Sequence, residues 1–503
     1  MLDHKMVKQE EEERLLCKYT LDEALAAVGF GKFQGLVLVY AGLGSFAEAM
    51  EMMILSFVGP AVKSEWGLSS SQESLLTSVV FAGMLFGAYS WGLISDNYGR
   101  RKGILGSTLL TCGAGSLSTF CPNYISLITL RCLVGIGLGG GPVFSSWFLE
   151  FVPASHRGTW MVVYSTSWTF GTIFEATLAW IVMPRLSWRW LLAFSSLPSI
   201  VLLLFYRLAP ESPRYLCTKG RFTDAHRILE KIALLNQAKL PGGILVSDST
   251  TGLDEESSSL SHQPLLSLAR KRVSSFKSAF SSFFMLFSSR LIKTTLLLWV
   301  LYFGNSFLYY GIILLTSELS GRQDECRSAT SSLENHQDEN LYIDIFITSL
   351  AELPGIILSA ITVDRFGRKR SMIFMFVAAC IFLLPLVSHQ SAVLRTSFLF
   401  GARMCAIGTF TIACIYCPEL YPTPVRTTGS GVASAAGRIG GMICPLVAVG
   451  LVTGCHVEAG IIVFEVVAAI SAICLLFFPY ETKGCELSDS VGPFDPKHNN
   501  LVG

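Results

Sequence analysis

The chain has 503 residues, 51% hydrophobic and only 15% charged, with a net charge of +1 and a mean hydropathy of +0.51. That balance excludes a soluble globular protein and points to a polytopic membrane protein, and the near-zero net charge gives no reason to expect a nucleic-acid partner. The fourteen cysteines lack the paired spacing of a metal site and the density of a disulfide scaffold.

The opening segment, 1–32, carries Glu10 to Glu13 and no apolar run, so no cleaved signal peptide is expected and the segment is read as cytoplasmic. Glu11-x-x-x-Leu15-Leu16 has the form of an acidic dileucine sorting signal, with a frayed amphipathic segment as the alternative. Apolar runs then predict an all-α membrane protein of twelve spans, at about 33–60, 74–95, 103–121, 124–148, 159–182, 188–207, 294–317, 342–363, 371–388, 394–417, 430–453 and 458–480. They divide into an N-terminal six-helix bundle (33–207), a cytoplasmic central loop (208–293), a C-terminal six-helix bundle (294–480) and a cytoplasmic tail (481–503). Arg100, Arg101, Lys102, Arg157, Arg214, Arg368, Lys369, Arg370 and Arg426 fall in alternate loops, which puts both termini and the central loop on the cytoplasmic side.

Span 1 carries Glu48 and Glu51, three residues apart and so on one helical face. In hydrocarbon such carboxylates are tolerated only beside a cavity or a partner. A rise of about 1.5 Å per residue puts them roughly 22 to 27 Å above the inner end, and Arg131 of span 4 at a similar height. Glu51 with Arg131 is the expected pair, with Glu48 as the alternative partner. In span 4, Gly135-x-Gly137-x-x-Gly140 mimics a dinucleotide fingerprint but lacks the strand and βαβ setting. The glycines are read as contacts for close helix packing. Span 5 adds Tyr164 and Trp168 on one face, with Phe170 and Glu175 nearby. Aromatic faces beside a carboxylate suit a quaternary ammonium or pyridinium ring.

Beyond the sixth span, 223–237 has helical periodicity through Ala225, Ile228, Leu229 and Ile232, and 238–282 reads as a disordered linker. The loop 320–340 holds Cys326, and Cys455 lies in another loop of the same side. Both face an oxidising compartment and are candidates for a disulfide, two free thiols being the alternative. Glu352 in span 8, Arg403 in span 10, Arg438 in span 11 and Glu465 in span 12 complete the intramembrane charges. With five carboxylates against three arginines, a cationic or zwitterionic substrate, a proton, or both are expected partners.

The two halves repeat one another. Gly92-x3-Asp96-x2-Gly99-Arg100-Arg101-Lys102 returns as Asp364-x2-Gly367-Arg368-Lys369-Arg370, an offset of 268 (364 − 96). Arg131 returns as Arg403, Glu150 as Glu419, Arg157 as Arg426 and Glu211 as Glu481, at offsets of 269 to 272. These paired motifs, over about 33–480, resemble the Major Facilitator Superfamily, and the resemblance implies two pseudo-symmetric six-helix bundles rocking about a central site. In its sugar-porter branch an acid of span 1 and an arginine of span 4 couple transport to protons, which implies that role for Glu51 or Glu48 with Arg131. Desolvation draws such an acid toward its neutral form and the arginine toward its charged form, so a small movement of the cation moves a proton.

The resemblance also implies a charged gating cluster of Asp96, Gly99, Arg100, Glu150, Arg157, Asp364, Arg368, Glu419 and Arg426 that joins the halves when the cavity opens outward. It further implies a substrate cavity lined by Asn305, Tyr309 and Tyr310 of span 7, with Tyr164, Trp168, Glu175, Glu352 and Arg403 as further candidates. The glutamine pair that grips sugar hydroxyls is missing before Tyr302, which argues against a sugar. Stretches such as Ala47-Glu48-Ala49-Met50-Glu51-Met52-Met53 and Cys417-Pro-Glu419-Leu-Tyr421-Pro-Thr-Pro-Val-Arg426 resemble the plant organic cation/carnitine transporter 7 group. That group is similar to synaptic vesicle 2-related proteins and NiaP-type niacin transporters.

The implied function is proton-coupled transport of a carnitine-like cation or zwitterion, with nicotinate or trigonelline transport, or a transport-incompetent ligand sensor, as alternatives. A monomer without cofactor, metal or enzymatic activity is expected, in the plasma membrane or a vacuolar or endosomal membrane. If the gating cluster acts as implied, Asp96→Asn and Arg100→Gln shift the balance between inward-open and outward-open states without abolishing ligand binding. Thiol accessibility of single-cysteine reporters at the two ends checks this, and unchanged accessibility would count against it.

Overall fold

The structure is a computed structural model that describes residues 18–153, 157–246, 284–289, 291–322, 334–388, 390–421, 425–453, 457–479 and 481–483. The dileucine-like segment, most of the central linker, Cys326 and Cys455 lie outside these residues. Twelve helical rods follow one another in the chain: span 1 (Lys32–Trp66), span 2 (Ser70–Tyr98), span 3 (Arg100–Ser118), span 4 (Tyr124–Leu149), span 5 (Arg157–Val182) and span 6 (Trp188–Leu204). The second half gives span 7 (Ile292–Arg322), span 8 (Leu341–Phe366), span 9 (Arg368–Val387), span 10 (Ala392–Leu420), span 11 (Arg426–Thr453) and span 12 (Val457–Leu476).

Among the described residues nine rods are long and apolar enough to cross a membrane on length and composition alone. Spans 3, 5 and 6 fall short of that measure for different reasons. Span 6 is short, whereas spans 3 and 5 bury Ser107, Thr108, Thr111, Thr169, Thr172 and Glu175 against other helices. Their polar residues lower the mean hydropathy without meeting lipid.

Close backbone approach fixes the first bundle. A side chain at Gly83 or Gly87 of span 2, or at Gly135 or Gly139 of span 4, would run into the backbone of the facing helix, and one at Gly137 or Gly140 would strike span 3. The fingerprint-like glycines therefore serve helix packing, as small residues do between helices in lipid.

At one end of the bundle the repeated loops turn tightly. Span 2 starts on a capping box between Ser69 and Gln72 and stops at Gly99, whose φ of +110° lies in the region that favours glycine. Span 3 begins at the next residue, and the Glu211 carboxylate accepts from the Arg101 amide at 3.2 Å. The second half repeats this. Gly367 has φ +88°, and Glu481 accepts from the amides of Arg368 at 2.7 Å and Lys369 at 3.0 Å. A carboxylate on the first free amides of a helix satisfies donors and complements the helix dipole.

The same end of the first half carries a small cap. Helix Leu21–Val28, with Thr20 and Glu23 in a capping box, packs on helix Phe222–Asn236. That second helix buries Ala225, Leu229, Ile232 and Ala233, the apolar face its periodicity predicts. Strand β1 (Lys18–Tyr19) pairs in parallel with β2 (Ile244–Leu245). Asn236 joins the cap to span 1, accepting from Phe33 N at 3.0 Å and donating to Gln34 at 2.7 Å. From residue 18 onward the N-terminal segment is thus docked on the first bundle.

Across the seam, span 2 lies along span 11 and span 5 along span 8. The hydrogen bonds and ring contacts that join the halves gather from the middle of the bundle to the end away from Gly99 and Gly367: Ser78 to Met442, Trp168 to Tyr309, Thr172 to Glu352, Phe57 to Tyr342 and Trp180 to Phe346. At the other end, Gly92 and Gly431 of spans 2 and 11 have open space where a Cβ would sit.

Gly99→Ala should cost about 1–3 kcal/mol, because it forces a Cβ into a left-handed backbone and against the Glu211 carboxylate. A thermal midpoint in detergent equal to that of the wild type would show that the turn tolerates a side chain.

Candidate functional site

Among the described residues each half holds one acid–arginine pair sealed from solvent. In the first, Arg131 Nη1 donates to Glu51 Oε2 at 3.0 Å, with the side chains 1% and 2% exposed. The sequence left Glu51 and Glu48 open as partners, and the structure pairs Glu51. Arg131 Nε and Nη2 meet no acceptor among the described residues.

In the second half Arg403 donates to Glu352 Oε1 through Nε at 3.1 Å and Nη2 at 2.7 Å, both residues being fully buried. Tyr309 also donates to that oxygen at 2.8 Å, while Thr172 of the opposite half donates to Oε2 at 3.2 Å. The Trp168 indole donates to the Tyr309 hydroxyl at 2.9 Å, and Arg403 Nη2 reaches the Met53 thioether at 3.7 Å. One carboxylate therefore anchors a network that crosses the seam three times. Charge-assisted bonds of this kind are short and strong where water is excluded.

Several residues read from the sequence as substrate contacts are held by protein partners. Glu352 and Arg403 are bonded to each other, so neither offers a free charge. Glu175 is buried inside the first bundle, where Ser195 Oγ stands 2.8 Å from both carboxyl oxygens. A helix's rise fixes height but not direction around the axis, and Glu175 turns toward span 6. Trp168 and Tyr309 are joined across the seam as described.

Asn305 lies one turn from Tyr309 on the same face, is buried, and has neither amide atom partnered among the described residues. Tyr310 meets Phe81 of the first half edge-on at 4.7 Å, and Tyr164 stacks on Phe148 at 5.9 Å. Glu465 leaves the seam altogether. It opens onto an apolar groove of about 340 Å³ beside Val377, Cys380 and Ile381, on the outer face of spans 9 and 12.

Glu48 stands apart from both sealed pairs. Its carboxyl group rests against Gly141 of span 4, at a small cavity of about 30 Å³ with Ser107, Thr108 and Thr111 on its wall. That is room for about one water among polar partners. Arg438 of span 11 points Nη1 at the Met84 thioether, 3.1 Å away.

At the loop end Arg100 Nε donates to Glu150 at 3.0 Å and its Nη1 to Asp96. Arg368 grips Glu419 through Nε at 3.1 Å and Nη2 at 2.9 Å. Each pair closes within its own half, so the resemblance's cross-half cluster is not assembled in this conformation. Asp96 is 70% exposed, and Asp364 is exposed too. Arg157 turns to Asp22 at 3.1 Å, sharing it with Arg214 at 2.5 Å. The Arg426 side chain lies outside the described residues. Sequence reading missed the capping role of Glu211 and Glu481, although their equal offset was the available signal.

A family model described as sugar (and other) transporter matches residues 39–490. Organic cation/carnitine transporter 7 of Arabidopsis thaliana is 57% identical over 484 residues, covering 94% of this chain and 97% of that relative. The synaptic vesicle 2-related protein of Xenopus laevis is 37% identical over 481 residues, covering 94% and 83%. Among solved structures, the xylose transporter XylE of E. coli in a partially occluded inward-open conformation superposes with a TM-score of 0.69 at 17% identity. That match covers 90% of this chain and 100% of the other, and it is a likeness of fold.

Glu51→Gln leaves Arg131 charged and unpaired, and removing one member of a buried pair costs about 3–5 kcal/mol. Replacing both residues with apolar ones of similar volume should recover most of that loss. Thermal unfolding of the single and double variants checks this, and equal losses in both would contradict it.

Proposed function

Since the chain belongs to the sugar (and other) transporter family and has the major facilitator fold, we propose that it is a secondary active transporter moving a small organic cation or zwitterion together with protons. The observation that carries this reading is the position of the charges. The network on Glu352 crosses the junction of the two halves, and Arg438 of span 11 meets Met84 of span 2 there, where an alternating-access carrier keeps its site. The substrate class is supported by the name of the Arabidopsis thaliana relative and by the tyrosines at the seam.

With the arginine-bearing loops cytoplasmic, the halves are joined toward the outer side and the chamber opens inward. Glu352 then acts as the outer latch. Its bonds to Thr172 and, through Tyr309, to Trp168 must break before the outer side parts. Glu51 and Arg131 serve proton coupling. A proton on Glu51 cancels its attraction for Arg131 and frees the guanidinium, whose two unpartnered nitrogens already lack acceptors. The plasma membrane and a vacuolar or endosomal membrane both fit this arrangement.

Proteoliposomes test the reading directly. Labelled carnitine or trigonelline should accumulate when a pH gradient is imposed, and comparison with nicotinate at two external pH values separates the cargo classes. Glu51→Gln should abolish the pH dependence of uptake while exchange between labelled and unlabelled substrate survives. Saturable binding without accumulation would identify a ligand sensor instead.

A further inference from the structure

Glu465 is an intramembrane charge that lies on the outside of its bundle. Span 12 (Val457–Leu476) places it eight residues from the outer end (465 − 457) and eleven from the inner end (476 − 465), which helical rise converts to about 12 Å and about 16 Å. It therefore sits near the middle of the hydrocarbon. Its Oε1 is buried yet has no hydrogen-bond partner among the described residues. The groove of about 340 Å³ onto which it opens is otherwise walled by aliphatic side chains, two alanines and the Cys380 thiol, a weak donor.

Lipid does not complete this site. Acyl chains carry neither donor nor acceptor, and head groups with their water lie about 10 Å or more away, beyond the reach of a glutamate side chain. A carboxyl group at that depth is costly unless another polar group meets it. The occupant of the groove must bring such a group to the same height.

A second copy of the chain does so by necessity. Two copies inserted with the same orientation are related by a two-fold axis along the membrane normal, and that axis keeps every residue at its own depth. The surface is also self-complementary in shape. Along span 12, Ile462, Val466 and Ile470 form a ridge, each about half exposed, while Glu465, Ala469 and Ala472 run beside it at three- and four-residue steps. Furrows of small residues let helices approach closely in lipid, and polar side chains then bond across them.

We infer that the chain associates as a two-fold dimer through spans 9 and 12, in place of the monomer expected from sequence, and that Glu465 of each copy completes the other's site. The ridge of one copy lies in the groove of the other, and the two carboxyl groups meet near the axis. A hydrogen bond between carboxyl groups needs at least one proton on the pair, so one acid donates to the free Oε1 of the partner's Glu465. Spans 9 and 12 pack on helices of the second half, away from the seam. The contact therefore leaves the two halves of each copy free to rock.

The test is energy transfer between two fluorescently tagged populations of the full chain, reconstituted together in liposomes at graded protein-to-lipid ratios. The wild type should show saturable transfer that falls on dilution with lipid. Glu465→Leu should lower the association constant about three- to thirtyfold, the worth of one hydrogen bond between helices in lipid. Glu465→Gln, whose amide both donates and accepts, should lose less. Ala469→Trp fills the groove and should abolish transfer, whereas Val39→Trp, on the exposed face of span 1, should leave it unchanged.

Photo-crosslinking locates the contact without altering Glu465. A benzophenone amino acid at Val466 should join two copies through span 9 or span 12, and one at Val39 should not. The inference is overturned if the wild type is monomeric at every ratio, if Glu465→Leu and Ala469→Trp associate as well as the wild type, if Glu465→Gln loses as much as Glu465→Leu, or if Val466 crosslinks only to lipid. The crosslinking result stands even where a variant fails to fold. Failure of uptake in proteoliposomes bears on the transport reading and leaves this one standing.

Discussion

A charge removed from water must be met by another charge or by hydrogen bonds, because the desolvation of a lone ion costs several kcal/mol even after relaxation. Glu352 shows how far that constraint organises the molecule. Its two oxygens accept from Arg403, Tyr309 and Thr172, residues of three other spans and of both halves. Span 8 cannot turn or slide without stranding at least one of these donors. The junction of the halves is thus held by a polar knot with directional bonds, where apolar packing alone would permit sliding.

Among the described residues the first half has no equivalent knot. Glu51 has one guanidinium nitrogen and Arg131 keeps two others unmatched. The arginines of the two pairs are counterparts in the repeat, but their acids come from span 1 and span 8, which are not, and the pairs are satisfied to different degrees. Under-satisfied buried donors such as these can take another acceptor without breaking a bond they already make.

Much of this was legible in the sequence. The repeat of Asp96 to Lys102 in Asp364 to Arg370 gave the two-bundle plan, and helical rise brought Glu51 to the height of Arg131. What remained hidden is azimuthal. Depth along a helix follows from counting residues, but the direction a side chain takes depends on which neighbours approach, and that is decided by tertiary contacts. Glu175 and Glu352 were both candidates for ligand contact, and both are bound by protein groups. Arg438 carried no motif, and its contact with Met84 of the other half depends on how span 11 packs on span 2. The capping carboxylates Glu211 and Glu481 were visible as a repeat, but their work on the amides after Gly99 and Gly367 depends on chain ends meeting in space.

The parallel pairing of Lys18–Tyr19 with Ile244–Leu245 has a bearing on biosynthesis. Lys18 and Tyr19 find their strand partner only after six membrane helices and the amphipathic helix beyond them have emerged from the ribosome. Asp22, too, must wait for Arg157 and Arg214. The amino-terminal residues therefore fasten shut a completed first bundle, giving the insertion machinery a finished module before Ile292 opens the second.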